Sequence, residues 1–300
     1  MFKRVGIIAK SKVENLSEVV KPLVAYLRNL GVEPILGCEA AKRIGEKECV
    51  DREKLPLYVD LVLVLGGDGT FIAATRAINR CKRDVPVMGV NLGNMGFLTE
   101  VPISRMYHVL DDIFLRAHYD IEERMMIDVK VLRDGKVKCN QTVFNDAVIN
   151  KGTLARIIRI RTMAKINSNT ENLVAVYHAD GLIVATPSGS TAYNLAAGGP
   201  IVYPTLDSFI CTPICPHTLS NRPLVLPDNV ELLLRLEGES EDVMLTLDGQ
   251  IGYPIDENDL IILTKSSRRI KLLTAKQKNY FEILREKLGW EERKIRNVKC

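Results

Sequence analysis

The segment Leu61-Val62-Leu63-Val64-Leu65-Gly66-Gly67-Asp68-Gly69-Thr70 carries the strongest structural signal in the chain. Its five leading apolar residues do not alternate with polar ones, which is typical of a strand buried on both faces of a parallel sheet. Glycine accepts positive φ and has no Cβ, so we expect the three glycines to form a sharp turn that a large ligand can approach. Residues 71–80 then predict a helix, with Thr70 as its N-cap.

An acidic residue lies in this glycine turn, where a phosphate would be expected to bind. Free backbone N–H groups at the start of a helix attract anions, so Gly66, Gly67, Gly69 and Thr70 are candidate phosphate-binding residues. A carboxylate repels phosphate, and Asp68 therefore calls for a metal ion or for a hydroxyl that is to be deprotonated. The segment suggests phosphoryl transfer to an alcohol. The plain alternative is a tight turn, because Gly and Asp are common turn residues.

Strands and helices alternate through the first 120 residues. Strands are predicted at 5–9, 34–36, 61–65 and 85–90, and helices at 16–30, 71–80 and 104–115. This alternation predicts a parallel, Rossmann-like sheet with right-handed crossovers. Ligands of such sheets bind beyond the carboxyl ends of the strands. The glycine turn and residues 91–97 both follow strands, and we expect them to line one crevice.

The pattern becomes β-rich near residue 121. Residues 126–132 and 137–150 predict a hairpin around the primed turn Asp134-Gly135. Further strands are predicted at 157–166, 173–178, 182–185, 230–236, 243–247 and 260–263, with one short helix starting near Thr191. We therefore expect an α/β domain over 1–120, joined by a returning tail over 275–300, and a β-rich domain over 121–274. The cleft between two domains is a common substrate site.

The basic charge of the chain is concentrated at its C-terminus. Residues 265–300 contain twelve Lys/Arg and four Asp/Glu, so this segment carries +8 and the rest of the chain −4. A nucleic-acid arm is one interpretation of such a segment. Apolar residues at helical spacing favour an amphipathic helix that docks on the protein. We expect no nucleic-acid partner, no membrane segment, since no apolar run reaches the ~20 residues of a span, and a cytoplasmic location.

The seven cysteines are scattered and do not form the framework of a secreted disulfide-rich domain. Cys211, Cys215 and His217 lie close together and suggest a metal site, but their spacing fits no common zinc pattern and they lack a fourth ligand. We expect buried thiols instead.

Three further segments of the β-rich half carry polar residues with possible functions. Residues 180–193 contain a strand, a Pro/Ser/Gly turn and a helix start, which suits phosphate or sugar but equally a Ser-rich turn. Asn145-Asp146 interrupts a strand pattern and could bind a ribose diol or form a bulge. Asp248-Gly249-Gln250 is typical of a hairpin turn. The sequence contains no P-loop, no Gly-x-Gly-x-x-Gly and no Gly-x-Ser-x-Gly motif.

Taken together, these motifs resemble those of the NAD kinase family along nearly the whole chain. The resemblance rests on segments 66–70, 91–98, 144–146, 180–200, 216–224 and 248–250, in this order. The first segment also resembles diacylglycerol-type lipid kinases and phosphofructokinases. The complete set in this order is specific.

The resemblance implies an activity and a set of site residues. The activity is phosphorylation of the 2′-hydroxyl of the adenosine ribose of NAD, with ATP or another phosphoryl donor and Mg²⁺ or another divalent cation. Asp68 would be the catalytic acid–base residue, and no metal ligand is assigned. The implied NAD-binding residues are Gly69, Phe97, Asn145, Asp146, Asp180, Ser188, Thr191, Ala192, Tyr193 and Gln250. The family fold has an α/β domain, a β-rich domain and a last helix that returns to the first, and members form homodimers or homotetramers.

Two alternatives remain open at this stage. A related kinase could act on a lipid or sugar hydroxyl through the same glycine-acid turn. A non-catalytic sensor could bind NAD in the same pocket without forming NADP. ATP or polyphosphate as donor, and NAD or NADH as acceptor, are equally undecided.

Overall fold

The computed structural model describes residues 2–10, 15–93, 95–152, 157–166, 170–218, 220–238, 242–274 and 279–290. They form two compact units. Unit 1 contains the described residues up to Glu122 and those from Lys271 onward, and unit 2 is Glu123–Ile270. Asn94, Leu219 and the basic residues after 290, all part of segments singled out in the sequence, lie outside the described residues.

Unit 1 is built from alternating strands and helices, as expected. Its elements are β1 (Arg4–Ala9), α1 (Leu16–Asn29), β2 (Glu33–Leu36), α2 (Cys38–Ile44), β3 (Leu61–Leu65), α3 (Asp68–Arg80), β4 (Val87–Asn91), β5 (Val101–Pro102) and α4 (Met106–Phe114). The strands pair in parallel in the order β2-β1-β3-β4, with β5 beside β4. All five residues of β3 are buried, which explains its uninterrupted apolar sequence.

The turn after β3 differs from its prediction. Helix α3 begins at Asp68 with Gly67 as N-cap, so Thr70 lies inside the helix. None of the three glycines has a positive φ. Gly66 is required for space, because a Cβ there would lie 2.8 Å from Oγ1 of Thr70.

The C-terminal helix α6 (Tyr280–Leu288) belongs to unit 1, as the amphipathic pattern predicted. Asn279 and Glu282 form a capping box at its start, and Gly289 ends it with φ 68°. Ile283 and Leu284 are buried. Nζ of Lys287 lies 5.9 Å from the ring centroid of Phe97, a cation–π distance.

Unit 2 is β-rich. Its elements are β6 (Asp120–Arg133, beginning in unit 1), β7 (Lys136–Val143), β8 (Asp146–Lys151), β9 (Ile158–Ile166), β10 (Asn172–Ala179), β11 (Gly181–Ala185), a 3₁₀ turn (Ser188–Thr191), α5 (Tyr193–Ala196), β12 (Ser208–Ile214), β13 (Leu224–Pro227), β14 (Val230–Leu236), β15 (Val243–Leu247), β16 (Ile251–Ile255) and β17 (Asp259–Thr274). A six-stranded antiparallel sheet has the order β13-β12-β11-β8-β15-β16. Strands β10, β9, β14 and β17 form the antiparallel part of a second sheet. Apolar residues of both sheets share one core.

Two predicted strands differ most from the structure. The segment 137–150 is not one strand, because β7 ends at Val143 and β8 begins at Asp146. The short strand predicted at 260–263 is the start of the 16-residue β17. The hairpin turn Asp134-Gly135 is confirmed, with φ of 53° and 72° and Arg133 paired with Lys136.

The expectation of buried thiols holds for only some of the cysteines. Cys211 is buried, and burial raises its pKa to about 12. Cys215 is exposed, as is His217, and the described residues contain no group of three His, Cys, Asp or Glu that could hold a metal ion. Cys38 and Cys49 form a disulfide. The pair meets because Gly37 bridges to Val50, an arrangement that 11 residues of sequence separation do not reveal.

We predict that reduction of the Cys38–Cys49 bond destabilises unit 1. A bond that closes a loop of this size contributes roughly 2–3 kcal/mol, which corresponds to a drop in Tm of about 5 °C or more. Thermal melts with and without a phosphine reductant measure the effect. A Cys38→Ser/Cys49→Ser variant is the control and should melt at one temperature in both buffers. An equal shift in wild type and control would contradict the prediction.

Candidate active site

The carboxylate of Asp68 is held by the loop that follows β4. Its Oδ1 accepts hydrogen bonds from the backbone N–H groups of Leu98 and Thr99, both at 3.1 Å, and from the Thr99 hydroxyl at 3.0 Å. Its Oδ2 accepts one from the N–H of Phe97 at 2.9 Å. The glycine turn and the loop of residues 91–97 therefore meet beyond the ends of β3 and β4, as the sequence predicted.

Polar side chains fix this loop from within. Nδ2 of Asn91 donates to the Thr99 hydroxyl at 3.2 Å, and its Oδ1 accepts from the N–H of Gly93 at 2.6 Å. The hydroxyl of the fully buried Thr99 thus accepts one hydrogen bond from Asn91 and donates one to Asp68. A Cβ at Gly96 would lie 2.0 Å from Oδ1 of Asp68, so only glycine permits this approach.

The carboxylate retains one position for a further donor. A carboxylate has about four acceptor sites, two on each oxygen. The four hydrogen bonds fill Oδ1 and leave one lone pair of Oδ2 without a donor among the described residues. A substrate hydroxyl could take that position. A Cβ at Gly67 or at Gly69 would meet no atom of another described segment within 4 Å, so the turn is open on the side to which these two positions point.

In unit 2, the break between β7 and β8 is a turn organised by Asp248. Oδ1 of Asp248 accepts hydrogen bonds from the N–H groups of Phe144 at 3.1 Å, Asn145 at 2.7 Å and Asp146 at 3.2 Å. Its Oδ2 accepts from Phe144 at 3.1 Å. The backbone N–H of Asp248 donates to the carbonyl of Asp146 at 2.9 Å. The amides that leave the sheet ladder are thereby satisfied.

The Ser-rich segment contacts the same turn. Thr186 donates its hydroxyl to the carbonyl of Phe144 at 2.7 Å and its N–H to the carbonyl of Asn145 at 2.8 Å. The same hydroxyl accepts from the N–H of Gly189 at 3.0 Å. A Cβ at Gly189 would lie 2.1 Å from the carbonyl oxygen of Asn145. Residues 186–191 are therefore packed against the Asn145 turn.

The side chains of the turn are left for a ligand. Asn145 is 8 % exposed, and its Oδ1 is buried without a hydrogen-bond donor among the described residues. A buried polar atom without a partner costs free energy, so its presence calls for an explanation. Asp146 is buried too, and burial together with the charge of Asp248 raises its pKa to about 7. These features are typical of a site that binds a group with hydroxyl or amino donors.

The structure brings some of the predicted residues together and separates one. Ser188 and Thr191 belong to the segment packed on the turn, followed by Ala192 and the half-exposed Tyr193, and Gln250 follows Asp248 by two residues. Asp180 is different. It immediately precedes β11 and lies five residues before Ala185, which pairs with Asp146, so it is roughly 17 Å away along the strand direction. There it forms an ion pair with Lys151 at 3.4 Å.

Sequence reasoning missed three side chains that shape these sites. Thr99, Thr186 and Asp248 position the predicted residues, and a fourth, the buried Arg124, lies 3.5 Å from Oγ of Ser188. Asp248 was visible as a turn residue and as part of the family-like segment 248–250, but it was given no role. Its hydrogen bonds join residues more than 100 positions apart, and no local pattern signals them.

An α/β unit with a glycine-acid turn, together with a β-rich unit, defines this chain as a phosphotransferase that acts on an alcohol group. The chain belongs to the NAD kinase family. Residues 5–119 match the model of the ATP-NAD kinase N-terminal domain, and residues 144–275 match that of the ATP-NAD kinase C-terminal domain.

Relatives agree with this membership, and two solved structures share the fold. The chain is 43% identical over 293 residues to the NAD kinase of Geobacter sulfurreducens, covering 97% of this chain and 100% of the relative. It is 40% identical over 293 residues to the NAD kinase of Solibacter usitatus, covering 98% and 99%. Yeast NADH kinase, solved with NADH, has a TM-score of 0.86 at 24% identity over 99% of this chain and 90% of the other. An Archaeoglobus fulgidus NAD kinase solved with ATP has a TM-score of 0.75 at 23% identity, covering 96% and 100%. These two structures share the fold.

We predict that Asp146 makes stability fall with rising pH. Its pKa of about 7 in the folded chain lies above that of an unfolded Asp, so the folded state binds more protons between about pH 4 and 7. The stability that protonated Asp146 contributes is fully present below about pH 4. It is lost as the pH rises toward 7, which lowers the free energy of unfolding by roughly 2–4 kcal/mol. Asp146→Asn removes the effect. Urea unfolding at pH 5 and pH 8 measures this. The free energy of unfolding of Asp146→Asn, relative to that of the wild type, should be higher at pH 8 than at pH 5. An equal difference between the two proteins at both pH values would refute the assignment.

Proposed function

We propose that this chain transfers the γ-phosphoryl group of ATP to the 2′-hydroxyl of the adenosine ribose of NAD, giving NADP and ADP. The observation that carries the proposal is the buried Asn145–Asp146 pair, whose backbone is fixed while the Asn145 Oδ1 has no donor within the described part of the chain. A ribose diol supplies two hydroxyl donors in a fixed geometry. Family membership, with relatives named NAD kinase over nearly the whole chain, supports the choice of NAD.

The roles of the residues follow from the chemistry of the transfer. The ribose oxygen attacks the γ-phosphorus, the bond to the ADP oxygen breaks, and the hydroxyl proton passes to Oδ2 of Asp68. Phosphoryl transfer has a loose transition state, so orientation and charge matter more than the strength of the base. Asn145 and Asp146 would fix the diol and thereby select the 2′ position over the 3′ position. Of the four residues predicted to bind phosphate, Gly66 and Thr70 donate their N–H groups to the carbonyls of Val90 and Gly67, each at 2.9 Å. The phosphates would therefore approach the turn at Gly67 and Gly69, where a Cβ would meet no atom of another described segment within 4 Å.

Further NAD contacts are proposed for the neighbouring segments. Ser188, Thr191, Ala192 and Tyr193 would line the dinucleotide pocket beside the Asn145 turn, with Gln250 at its margin. Phe97 would lie near the adenine. Asp180, at the far end of β11, would reach the dinucleotide only at its opposite end.

Mg²⁺ is the divalent cation that we propose for the reaction. It commonly keeps several waters and binds through substrate phosphates with one or two carboxylates. The cation would be held by the triphosphate itself, and no described residue is assigned as its ligand, because the remaining lone pair on Oδ2 of Asp68 is the one proposed for the substrate hydroxyl. Bound there, Mg²⁺ would neutralise the charge of the triphosphate.

We also propose a cytoplasmic homodimer or homotetramer. Leu224 and Val225, on the edge strand β13, are 38% and 46% exposed. Exposed apolar residues on an edge strand favour association with a second chain, which supports an assembly. No described helix is long and apolar enough to cross a membrane. Sedimentation velocity of the full chain tests the assembly.

A substrate panel tests the proposal against its rivals. NAD, NADH, diacylglycerol and fructose 6-phosphate are each incubated with labelled ATP, with and without Mg²⁺, and polyphosphate replaces ATP in a second series. Label in NADP supports the proposal. Label in the lipid or sugar identifies a related kinase, and tight NAD binding without NADP identifies a sensor.

We predict that Asp68→Asn lowers kcat by about 10²–10⁴, because the amide cannot accept the proton. NAD affinity should remain within about threefold, since the diol is bound by other residues. Steady-state kinetics with direct NAD titration measure both quantities. Near-wild-type turnover would show that Asp68 is not the proton acceptor.

We predict that Thr99→Val lowers kcat by about tenfold, because the variant loses the hydroxyl that orients Asp68. Thr99→Ser keeps the hydroxyl and is the matched control, with kcat near wild type. The comparison with Asp68→Asn also separates two roles of Asp68. If Thr99→Val were as severe as Asp68→Asn, Asp68 would act as an anchor of the 97–99 loop and not as a proton acceptor.

A further inference from the structure

Two Asp-Gly turns in unit 2 have the same backbone conformation but different side-chain surroundings. Asp134-Gly135 has φ of 53° and 72°, and Asp248-Gly249 has φ of 51° and 63°. The Asp134 side chain is exposed and accepts no hydrogen bond from the part of the chain that the structure describes. Asp248 is 9% exposed and accepts the N–H groups of three successive residues. A turn alone therefore does not explain Asp248.

The three amides held by Asp248 belong to the turn that presents Asn145 and Asp146. Oδ1 of Asp248 lies 2.7 Å from the N–H of Asn145, the shortest of these contacts. Three hydrogen bonds that converge on one side-chain oxygen restrict the backbone of three successive residues. The same turn is held on its carbonyl side by Thr186, through the carbonyls of Phe144 and Asn145. With the backbone fixed from both sides, the two side chains have little freedom.

We propose that Asp248 is a positioning residue for NAD, which acts by holding the backbone of residues 144–146 so that Asn145 and Asp146 face the ribose. The proposal rests on the proposed function of that pair. Asp248 itself need not touch the dinucleotide. Its charge adds a second influence, because it is one of the two causes that raise the pKa of Asp146.

The test compares deletion of the carboxylate at the two turns. Asp248→Gly removes the acceptor without backbone strain, since glycine adopts positive φ freely, and Asp134→Gly is the matched control. We expect Asp248→Gly to raise KM and Kd for NAD by about tenfold or more, with kcat within about threefold. Asp248→Asn should restore KM to within about threefold, because its amide oxygen can replace Oδ1. Asp134→Gly should leave all three constants unchanged.

Hydrogen–deuterium exchange gives a readout that does not depend on catalysis. In the NAD-free Asp248→Gly protein, the amides of residues 144–146 should exchange at least about tenfold faster, while amides further along β8 keep their rates. Should Asp248→Gly fail to fold, Asp248→Ser takes its place, since its one short hydroxyl cannot reach all three amides.

The outcomes separate the two proposals. The positioning role would be overturned if the amides of residues 144–146 exchanged at the same rate in Asp248→Gly as in Asp134→Gly. An unchanged KM for NAD in Asp248→Gly would overturn it as well. Wild-type protein that forms no NADP would overturn the proposed function instead, and the exchange measurement would still decide whether Asp248 holds the turn. Equal loss of NAD affinity in Asp248→Gly and Asp248→Asn would assign the effect to charge and also overturn the proposal.

Discussion

One interaction recurs in both units and shapes both candidate sites: an aspartate carboxylate that accepts hydrogen bonds from successive backbone amides. Asp68 holds residues 97–99 in unit 1, and Asp248 holds residues 144–146 in unit 2. In both places the chain leaves its strand, so its amides lose their partners in the sheet. Buried amides must be satisfied, and one carboxylate replaces several ladder bonds while allowing an irregular backbone. The loops are thus both non-repetitive and rigid, as binding sites require.

The consequence in unit 2 is a division between backbone and side chains. Asp248 and Thr186 provide the hydrogen-bond partners of the backbone in the Asn145 turn. The side chains of Asn145 and Asp146 are therefore not needed to satisfy that backbone. This arrangement is destabilising for two reasons. The Asn145 Oδ1 has no hydrogen-bond donor among the residues that the structure describes, and both burial and the charge of Asp248 oppose the ionisation of Asp146. Such destabilising features persist where a ligand compensates them.

The fold was largely predictable from the sequence, whereas the partners of the site residues were not. The apolar run of β3, the Asp134-Gly135 turn and the tail helix each carry a local signal, since burial, turn chemistry and helical spacing are properties of a few adjacent residues. The break at Phe144–Asn145, the disulfide and the separation of Asp180 from Asp146 depend on register and on contacts between distant segments. The N-cap was misplaced because Gly67, which has no side chain, serves where Thr70 was the stronger local candidate.

The hydrogen bonds of Asp68 also bear on its proposed role as the carboxylate that accepts the substrate proton. With Oδ1 filled and one lone pair of Oδ2 left, the group can meet a substrate hydroxyl from one direction only. A reaction with a loose transition state gains little from a strong base, because the proton leaves late. It gains much from a fixed line between the attacking oxygen and the phosphorus. The glycine at position 96 and the hydroxyl of Thr99 serve that requirement, since the first admits the carboxylate and the second sets its orientation.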